Sequence, residues 1–370
     1  MFGFIPKMDR SNMRLYNLAF IPFAAFFALS VSAAPFAYVS NERAGVSVID
    51  LDQMAVVREI DVAGQGPRGI SVTAEGAFVV TANKGTSDIS VMDAQSGKLV
   101  KRVNVGKNVE FVRIVGDLAY ITYEPSGPGA PVEAGKPEEP AAKPAKAGNK
   151  AEKEDDDDLV PAEIAVVDIK QGKVIASMKS GRETEGIEFS ADGKFMLVAN
   201  EGENTVTVYD RQLGKILQKI DVSSQGSRPR GIKISPDGKT YAVTLEFSDK
   251  VILIGSNYKM IKSAATKKSP YGVSFDPEGK RLFVAASRSS VIQVFDVNTL
   301  ALLGEIPVGQ RCWHFSFSSD GKKLIVACGK SDSLVIADTT TYAVLKTLTG
   351  FKGPWGVVTY PRARGSIDTP

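Results

Sequence analysis

Histidine, cysteine and tryptophan are scarce in this chain. Its 370 residues include one histidine, two cysteines and two tryptophans. So few soft ligands argue against a conventional zinc site, and a covalent c-type haem would need a C-x-x-C-H motif that is absent. The sequence also has no G-x-S-x-G elbow, no H-E-x-x-H motif and no P-loop. No motif therefore identifies a catalytic residue or a metal ligand.

An excess of charge of either sign is also missing. The chain has 45 basic and 42 acidic residues and a formal net charge of +3. This mixed balance gives no reason to expect nucleic-acid binding. The apolar content of 43% is enough for a large core, and one domain of suitable architecture can use nearly the whole chain.

The N-terminal region has the three-part plan of a secretory signal. Residues 13–37 begin with Arg14, continue as an apolar run, and reach small residues before a cleavage site after Ala33 or Ala34. The apolar run is short for a bilayer span, although an uncleaved anchor is the alternative. We therefore predict a signal peptide with upstream residues over 1–34, export to a bacterial periplasm, and no membrane span after cleavage.

One unit recurs along the rest of the chain. Residues 270–309 contain four short runs of alternating apolar and polar residues separated by turn clusters, a pattern typical of antiparallel strands. Equivalent positions, which we call register marks, are Gly69, Phe111, Gly186, Gly231, Gly272, His314 and Gly356. Successive marks lie 41 to 45 residues apart, except for 75 residues between the second and the third. Such a period, with four strands per unit, is the spacing of propeller blades.

Seven marks predict an all-β, seven-bladed β-propeller. After the last mark one strand remains, ending near Tyr360, while three strands precede the first mark. We expect these four strands to form the last blade and close the ring, which removes exposed sheet edges. The propeller is predicted over 35–361, as a monomer, with a C-terminal tail at 362–370.

The long interval in blade two holds an insertion. Residues 125–158 are rich in Pro, Ala, Gly, Lys and Glu and end in four aspartates. We predict a disordered, solvated loop between the second and third strands of that blade, since the segment cannot offset its ordering entropy. The acidic end either attracts a cation or a basic partner or serves only solubility.

Two stretches carry a family resemblance. FMLVANEGENTVTVYDRQLGKILQKI and PRGIKISPDGKTYAV resemble the repeats of YVTN-family β-propellers, which follow YVTN-x-x-x-NTVSVID with P-x-GVAVSPDGK. An exported propeller of this size resembles, within that group, the β-propeller proteins associated with PQQ-dependent alcohol catabolism. That resemblance implies periplasmic quinoprotein dehydrogenases and c-type cytochromes as partners. The repeats are also similar to those of lactonase-type propellers and the d1-haem domain of nitrite reductase, and no catalytic motif can be transferred from any of these.

A candidate site follows from the propeller geometry. The residue before each register mark should lie at the mouth of the central channel. These ring residues are, in blade order, Arg68, Glu110, Glu185, Arg230, Tyr271, Trp313 and Trp355. An aromatic wall facing arginines suits a planar anionic ligand such as PQQ or a haem-type tetrapyrrole, or a partner's loop. In the alternative interpretation, which we prefer, the arginines and glutamates pair with each other and the aromatics fill the channel.

Blade six carries three further candidates. His314 replaces glycine at a register mark, so it is either a functional residue, such as an axial haem ligand or a general base, or a ring that fills space beside Trp313. Cys312 and Cys328 flank a hairpin turn and are either a cross-strand disulfide or two buried thiols.

The sequence alone favours a binding or accessory protein over an enzyme. Its predicted role is to present a channel-mouth site, in association with PQQ-dependent alcohol oxidation, without requiring a cofactor. One alternative is a lactonase-like hydrolase, in which Glu110 and Glu185 act with arginine and a metal ion. A second alternative is a tetrapyrrole-binding propeller that depends on His314. The pathway assignment rests on fold resemblance and is an association.

Overall fold

The computed structural model describes residues 1, 3, 35–124 and 161–364. The chain divides into two units, Met1–Ala33 and Ala34–Pro370, and every strand belongs to the second. The predicted signal peptide, the insertion at 125–158 and the end of the tail from residue 365 lie outside the described residues.

Short strands account for most of the second unit. In chain order they are β1 (Phe36–Asn41), β2 (Val46–Asp50), β3 (Ala55–Ile60), β4 (Pro67–Val72), β5 (Phe78–Asn83), β6 (Asp88–Asp93), β7 (Leu99–Asn104), β8 (Val112–Val115), β9 (Leu118–Tyr123), β10 (Pro161–Asp168), β11 (Lys173–Arg182), β12 (Thr184–Phe189), β13 (Phe195–Asn200), β14 (Thr205–Asp210), β15 (Lys215–Asp221), β16 (Pro229–Ile234), β17 (Thr240–Leu245), β18 (Lys250–Gly255), β19 (Met260–Ala265), β20 (Pro270–Phe275), β21 (Arg281–Ala286), β22 (Val291–Asp296), β23 (Leu302–Pro307), β24 (Cys312–Phe317), β25 (Lys323–Cys328), β26 (Ser333–Asp338), β27 (Val344–Thr349) and β28 (Pro354–Tyr360). Short 3-10 turns follow several second strands, at Lys84–Thr86, Glu201–Glu203, Glu246–Ser248 and Gly329–Ser331.

The strands form seven antiparallel sheets of four strands each. Blades one to six begin at β4, β8, β12, β16, β20 and β24, and each uses four consecutive strands. Blade seven has the order β28-β1-β2-β3, with Phe36 opposite Tyr360 and Tyr38 opposite Val358. The predicted all-β, seven-bladed propeller, closed by one C-terminal and three N-terminal strands, is confirmed.

The core lies between neighbouring blades. The first three strands of a blade are largely buried because the adjacent blades cover both their faces, whereas the fourth strand faces outward. Blades five and six show this packing, since the rings of Phe283 and Phe317 meet edge to face at 5.1 Å between centroids. Among the described residues, no helix is long and apolar enough to cross a membrane.

A bulge opens the innermost strand of most blades at its first residues. In blade four, Pro229 pairs with Leu245, but the next pair is Ile232 with Val243, so one extra residue is released from the ladder. The same shift occurs in blades one, three, five and six. Bulges redirect side chains, and here they free the ring residue and the register mark that follows it.

The register glycines have a steric cause. A Cβ atom on Gly186 would lie 2.3 Å from the carbonyl oxygen of Arg230, and one on Gly231 would lie 2.3 Å from that of Tyr271. The backbone of each next blade therefore passes too close for a side chain. The repeating glycine is a packing requirement of adjacent blades.

Candidate functional site

Each blade contributes two further positions beside its ring residue. The entry residue directly precedes the innermost strand, except in blade two, and has a left-handed backbone: Gly66 (φ 65°), Asn108 (φ 50°), Glu183 (φ 48°), Arg228 (φ 61°), Ser269 (φ 54°), Arg311 (φ 52°) and Gly353 (φ 69°). Five of the seven are non-glycine residues, which adopt this conformation uncommonly, so the backbone turns in the same way at the mouth in every blade.

The exit residue follows the second strand of each blade. In six blades its N–H donates to the carbonyl of the entry residue, at 2.9 to 3.1 Å. In blade order from one to seven, the exit residues are Lys84, Glu124, Glu201, Glu246, Ser287, Gly329 and Glu42. Entry and exit positions are therefore held together, and their side chains surround the ring residues.

Arg230 is the centre of a charged cluster in blades three and four. It forms ion pairs with Glu185, with Glu201 at 2.7 Å and with Glu246 at 2.5 Å. Its Nη1 also donates to the Tyr271 hydroxyl at 2.9 Å, and its guanidinium lies 4.6 Å from the centroid of that ring. One arginine thus contacts three carboxylates and a phenol.

Arg228 joins the same carboxylates from the entry position. Its guanidinium lies 3.0 Å from Glu201, 3.3 Å from Glu183 and 3.5 Å from Glu246. The side chains of Glu201 and Glu246 are only 3% exposed, so two arginines and their glutamates share a poorly solvated space. In such a space these charges interact more strongly than at the protein surface.

The pKa values of Glu185 and Glu201 are shifted in opposite directions. Burial opposes the ionisation of Glu185, but Arg230 and hydrogen bonds from Glu201 and Tyr271 outweigh it and keep its pKa well below the ordinary range. Burial raises the pKa of Glu201 far above its ordinary value, and the neighbouring Glu185 raises it further. These shifts favour a protonated Glu201 that donates a hydrogen bond to an ionised Glu185.

A second ion-pair group joins blades seven, one and two. Arg68 binds Glu110 at 2.7 Å and Glu42 at 2.5 Å, and Lys84 also reaches Glu110 at 2.7 Å. The predicted ring residues of blades one to four are therefore ion-paired, but in two groups: Arg68 with Glu110, and Arg230 with Glu185.

The aromatic ring residues behave differently from one another. Tyr271 and Trp355 lie inside the channel with His314 and Phe111, with ring centroids 4.3 to 6.5 Å apart. Burial lowers the pKa of His314 to about 4, so its imidazole is neutral at physiological pH. Trp313 is partly exposed and packs over Gly329, where a Cβ would collide with its ring. The channel is filled at this level, and the open part of the site is its rim.

The two cysteines are joined. Cys312 and Cys328 are paired across β24 and β25 and form a disulfide, with a Cα–Cα distance of 3.8 Å. The disulfide lies between the entry and ring residues on one strand and the exit residue on the other. It therefore anchors the part of the mouth that blade six provides.

The charged side chains surround a cleft at the rim. It has about 210 Å³ of room for water-sized molecules. Its charged lining residues are Arg68, Lys84, Glu110, Glu124, Glu183, Glu185, Glu201, Arg228 and Arg230, and the other lining residues are neutral. Within the described part of the chain, no three His, Cys, Asp or Glu side chains are arranged to hold a metal ion. The cleft offers carboxylates, one carboxylic acid and guanidinium groups.

Sequence reasoning located the ring but missed Arg228, Glu201 and Glu246. The prediction used only the position before the register mark in each blade. The exit position has a signal of its own, because four of its seven residues are glutamate. The entry position carries no comparable sequence pattern, because its common property is a backbone angle.

Comparison with known proteins gives one partial family match. The model for "Lactonase, 7-bladed beta-propeller" matches residues 163–260, about a quarter of the chain. No protein of curated function matches the sequence.

Solved structures match over nearly the whole propeller. A protein of unknown function from Desulfotomaculum acetoxidans has a TM-score of 0.70 at 15% identity, covering 90% of this chain and 99% of that one. A candidate 6-phosphogluconolactonase from Bacteroides uniformis gives 0.69 at 17% identity, covering 88% and 100%. The periplasmic gluconolactonase of Pseudomonas aeruginosa gives 0.66 at 16% identity, covering 88% and 99%. At these identities the likeness establishes the fold.

Proposed function

We propose that the mouth of this propeller binds a lactone and hydrolyses it to the corresponding hydroxy acid. One observation carries the proposal: the lactonase model matches residues 163–260, and this stretch supplies every arginine and glutamate of the blade three and four cluster. The part of the chain that resembles lactonases is thus the part that builds a site with an acid, a base and two cations.

The cluster has the groups that the reaction needs. Water adds to the lactone carbonyl carbon while Glu185 accepts its proton, and Arg228 and Arg230 stabilise the oxyanion that forms. The ring C–O bond then breaks, and the ring oxygen takes the proton of neutral Glu201. The balance is one lactone and one water giving one hydroxy acid, without a redox step. Tyr271 positions Glu185 through its hydroxyl.

The relatives' names support this direction. Two of the similar structures are a periplasmic gluconolactonase and a candidate 6-phosphogluconolactonase. A sugar lactone is therefore the first substrate class to test, and a periplasmic location, which the predicted signal peptide also suggests, belongs to the same proposal. The proposal reverses the preference for a non-catalytic protein drawn from the sequence alone. The association with PQQ-dependent alcohol oxidation stays a prediction without support from these comparisons.

Hydrolysis of glucono-δ-lactone, followed by pH-stat against the spontaneous rate, tests the proposal. We expect the wild-type protein to accelerate the reaction and E185Q to lose about 10²- to 10⁴-fold in kcat. E203Q is the matched control, because Glu203 lies in the same 3-10 turn as Glu201 but pairs with Lys219 on the surface at 3.0 Å.

Two results would count against lactone hydrolysis at this site. One is a wild-type rate equal to the spontaneous rate for gluconolactone and for simple γ- and δ-lactones. The other is an equal loss of activity in E185Q and E203Q, which would place the reaction elsewhere. Circular dichroism of each variant separates a lost site from a lost fold.

A further inference from the structure

Arg311, the entry residue of blade six, is an arginine whose side chain has no ion pair among the described residues, and its guanidinium lies 6.0 Å from the centroid of the Trp313 ring. Its backbone is fixed, since its N–H donates to the Ser287 carbonyl at 3.1 Å and its own carbonyl accepts from Gly329 N–H at 3.1 Å. Two of its guanidinium nitrogens, Nε and Nη1, are buried with no hydrogen-bond partner among the described residues. No described carboxylate lies within ion-pair distance of it.

The electrostatic surroundings of Arg311 are unfavourable to its charge. Burial lowers its pKa; Glu246 and Tyr271 oppose this, while Arg288 and Arg230 lower the pKa further. A guanidinium nevertheless remains protonated at neutral pH. Arg311 is therefore a partly desolvated cation whose compensation within the described chain is incomplete, and such a charge is costly unless a counter-charge binds.

Two more cations and a hydroxyl face the same open space. A pocket of about 400 Å³ is lined by Ser287, Arg288, Ser290, Gln310, Arg311 and Lys330, with no carboxylate among them. Backbone hydrogen bonds hold these residues together. Arg288 directly follows Ser287, whose carbonyl accepts the N–H of Arg311 at 3.1 Å, and the N–H of Lys330 donates to the Gln310 carbonyl at 3.2 Å. Neither Arg288 nor Lys330 has an ion pair within the described residues.

We infer that Arg288, Arg311 and Lys330 form a binding site for a small oxyanion group, a phosphate or a carboxylate, at the rim between blades five and six. The positive charge of the Arg311 guanidinium at the wall of the pocket and the two flanking cations suit an anion with a double negative charge. The Ser287 hydroxyl already donates to the Ser269 carbonyl at 2.9 Å, so its oxygen is left to accept rather than donate. The ligand would thus be held by cationic donors.

This site is separate from the cluster proposed to hydrolyse lactones. At the equivalent position of blade four, Arg228 contacts Glu183, Glu201 and Glu246, so its charge is compensated within the protein and does not need a ligand anion. The inference also does not depend on lactone turnover, because it is tested by binding alone.

Isothermal titration calorimetry with inorganic phosphate and with succinate, at low ionic strength, is the direct test. The wild type should bind at least one of them, and R288Q/K330Q should weaken that binding at least tenfold. R311Q should weaken it by as much or more. K98Q is the matched control, since it removes a lysine from the exposed hairpin between β6 and β7, and it should bind like the wild type.

Each calorimetric result either supports the oxyanion site or overturns it. Binding of phosphate alone, of succinate alone or of both supports the site and tells which oxyanion it takes. Absence of binding for both anions overturns it, and so does binding that R288Q/K330Q and K98Q change equally. The double variant alters two exposed side chains, so its fold is not at risk if R311Q proves unstable.

Discussion

Arg230 and Arg311 lie at the same mouth, two blades apart, in opposite surroundings. Arg230 contacts Glu185, Glu201 and Glu246, whereas Arg311 faces Arg288 and Lys330 without an ion pair in the described chain. Both sectors contain an entry arginine of the same repeat, Arg228 in blade four and Arg311 in blade six, while Arg288 and Lys330 each directly follow an exit residue. The repeat thus fixes where side chains are placed, while the choice of residue decides whether a sector compensates its own charge or requires a ligand.

Replacing each arginine by methionine gives the sharpest test of this difference. R230M removes the cation shared by the buried side chains of Glu185, Glu201 and Glu246, and we expect the free energy of unfolding to fall by about 3–5 kcal/mol. R311M removes a cation that has no partner, and we expect a change below about 1 kcal/mol in either direction. Urea denaturation at pH 7 measures both, and similar losses in the two variants would mean that Arg311 is compensated after all.

The stability that comes from His314 and the aromatic rings around it in the channel should be sensitive to acid. His314 is neutral in the folded protein with a pKa of about 4, against 6.5 for an ordinary histidine. Because its folded pKa is depressed, its neutral form stabilises the fold above about pH 6.5, and this contribution is lost as the pH falls toward 4. We expect the wild type to lose about 3 kcal/mol more than H314F over this interval.

Urea denaturation of both proteins at several pH values between 4 and 7 checks this expectation. H314F keeps an aromatic ring among Tyr271, Trp355 and Phe111 but cannot gain a proton. Curves that remain parallel from pH 7 to pH 4 would show that the imidazole is solvated in the folded state, contrary to its packing.

The propeller could be predicted from the sequence because its signals repeat. Register glycines recur wherever the next blade's backbone excludes a side chain, as at Gly186 and Gly231, and alternation marks each strand. The closure of blade seven followed from counting unpaired strands at the two chain ends. These features are local or periodic, so one sequence contains several copies of each.

The site was predicted less completely for a physical reason. Arg68 and Arg230 were found because they adjoin a register mark. Each also pairs with a glutamate at an exit position, Glu42 for Arg68 and Glu246 for Arg230, and these lie 26 and 16 residues away in the sequence. The raised pKa of Glu201 depends on its burial next to Glu185. The isolation of Arg311 depends on the lack of a carboxylate within ion-pair distance among the described residues. Neither property is periodic, and neither can be obtained before the blades are packed.

The proton of Glu201 makes the stability of the charged cluster depend on pH. Its folded pKa is raised above the ordinary value of about 4.3, so its contribution to stability is fully present below that pH and is lost as the pH rises toward the folded pKa. Glutamine imitates the protonated acid and does not titrate. Relative to E201Q, the wild type should therefore lose up to about 1.4 kcal/mol for each pH unit above about 4.3, until the raised pKa is reached.

Urea denaturation of the wild type, E201Q and E203Q between pH 5 and 8 decides the point. E203Q removes a carboxylate two residues away that binds Lys219 at the surface, so it should follow the pH dependence of the wild type. If E201Q also ran parallel to the wild type, Glu201 would be ionised in the folded protein. Arg228 and Arg230 would then be balanced by a fourth carboxylate, and the proton for the leaving oxygen of a lactone would have to come from another group.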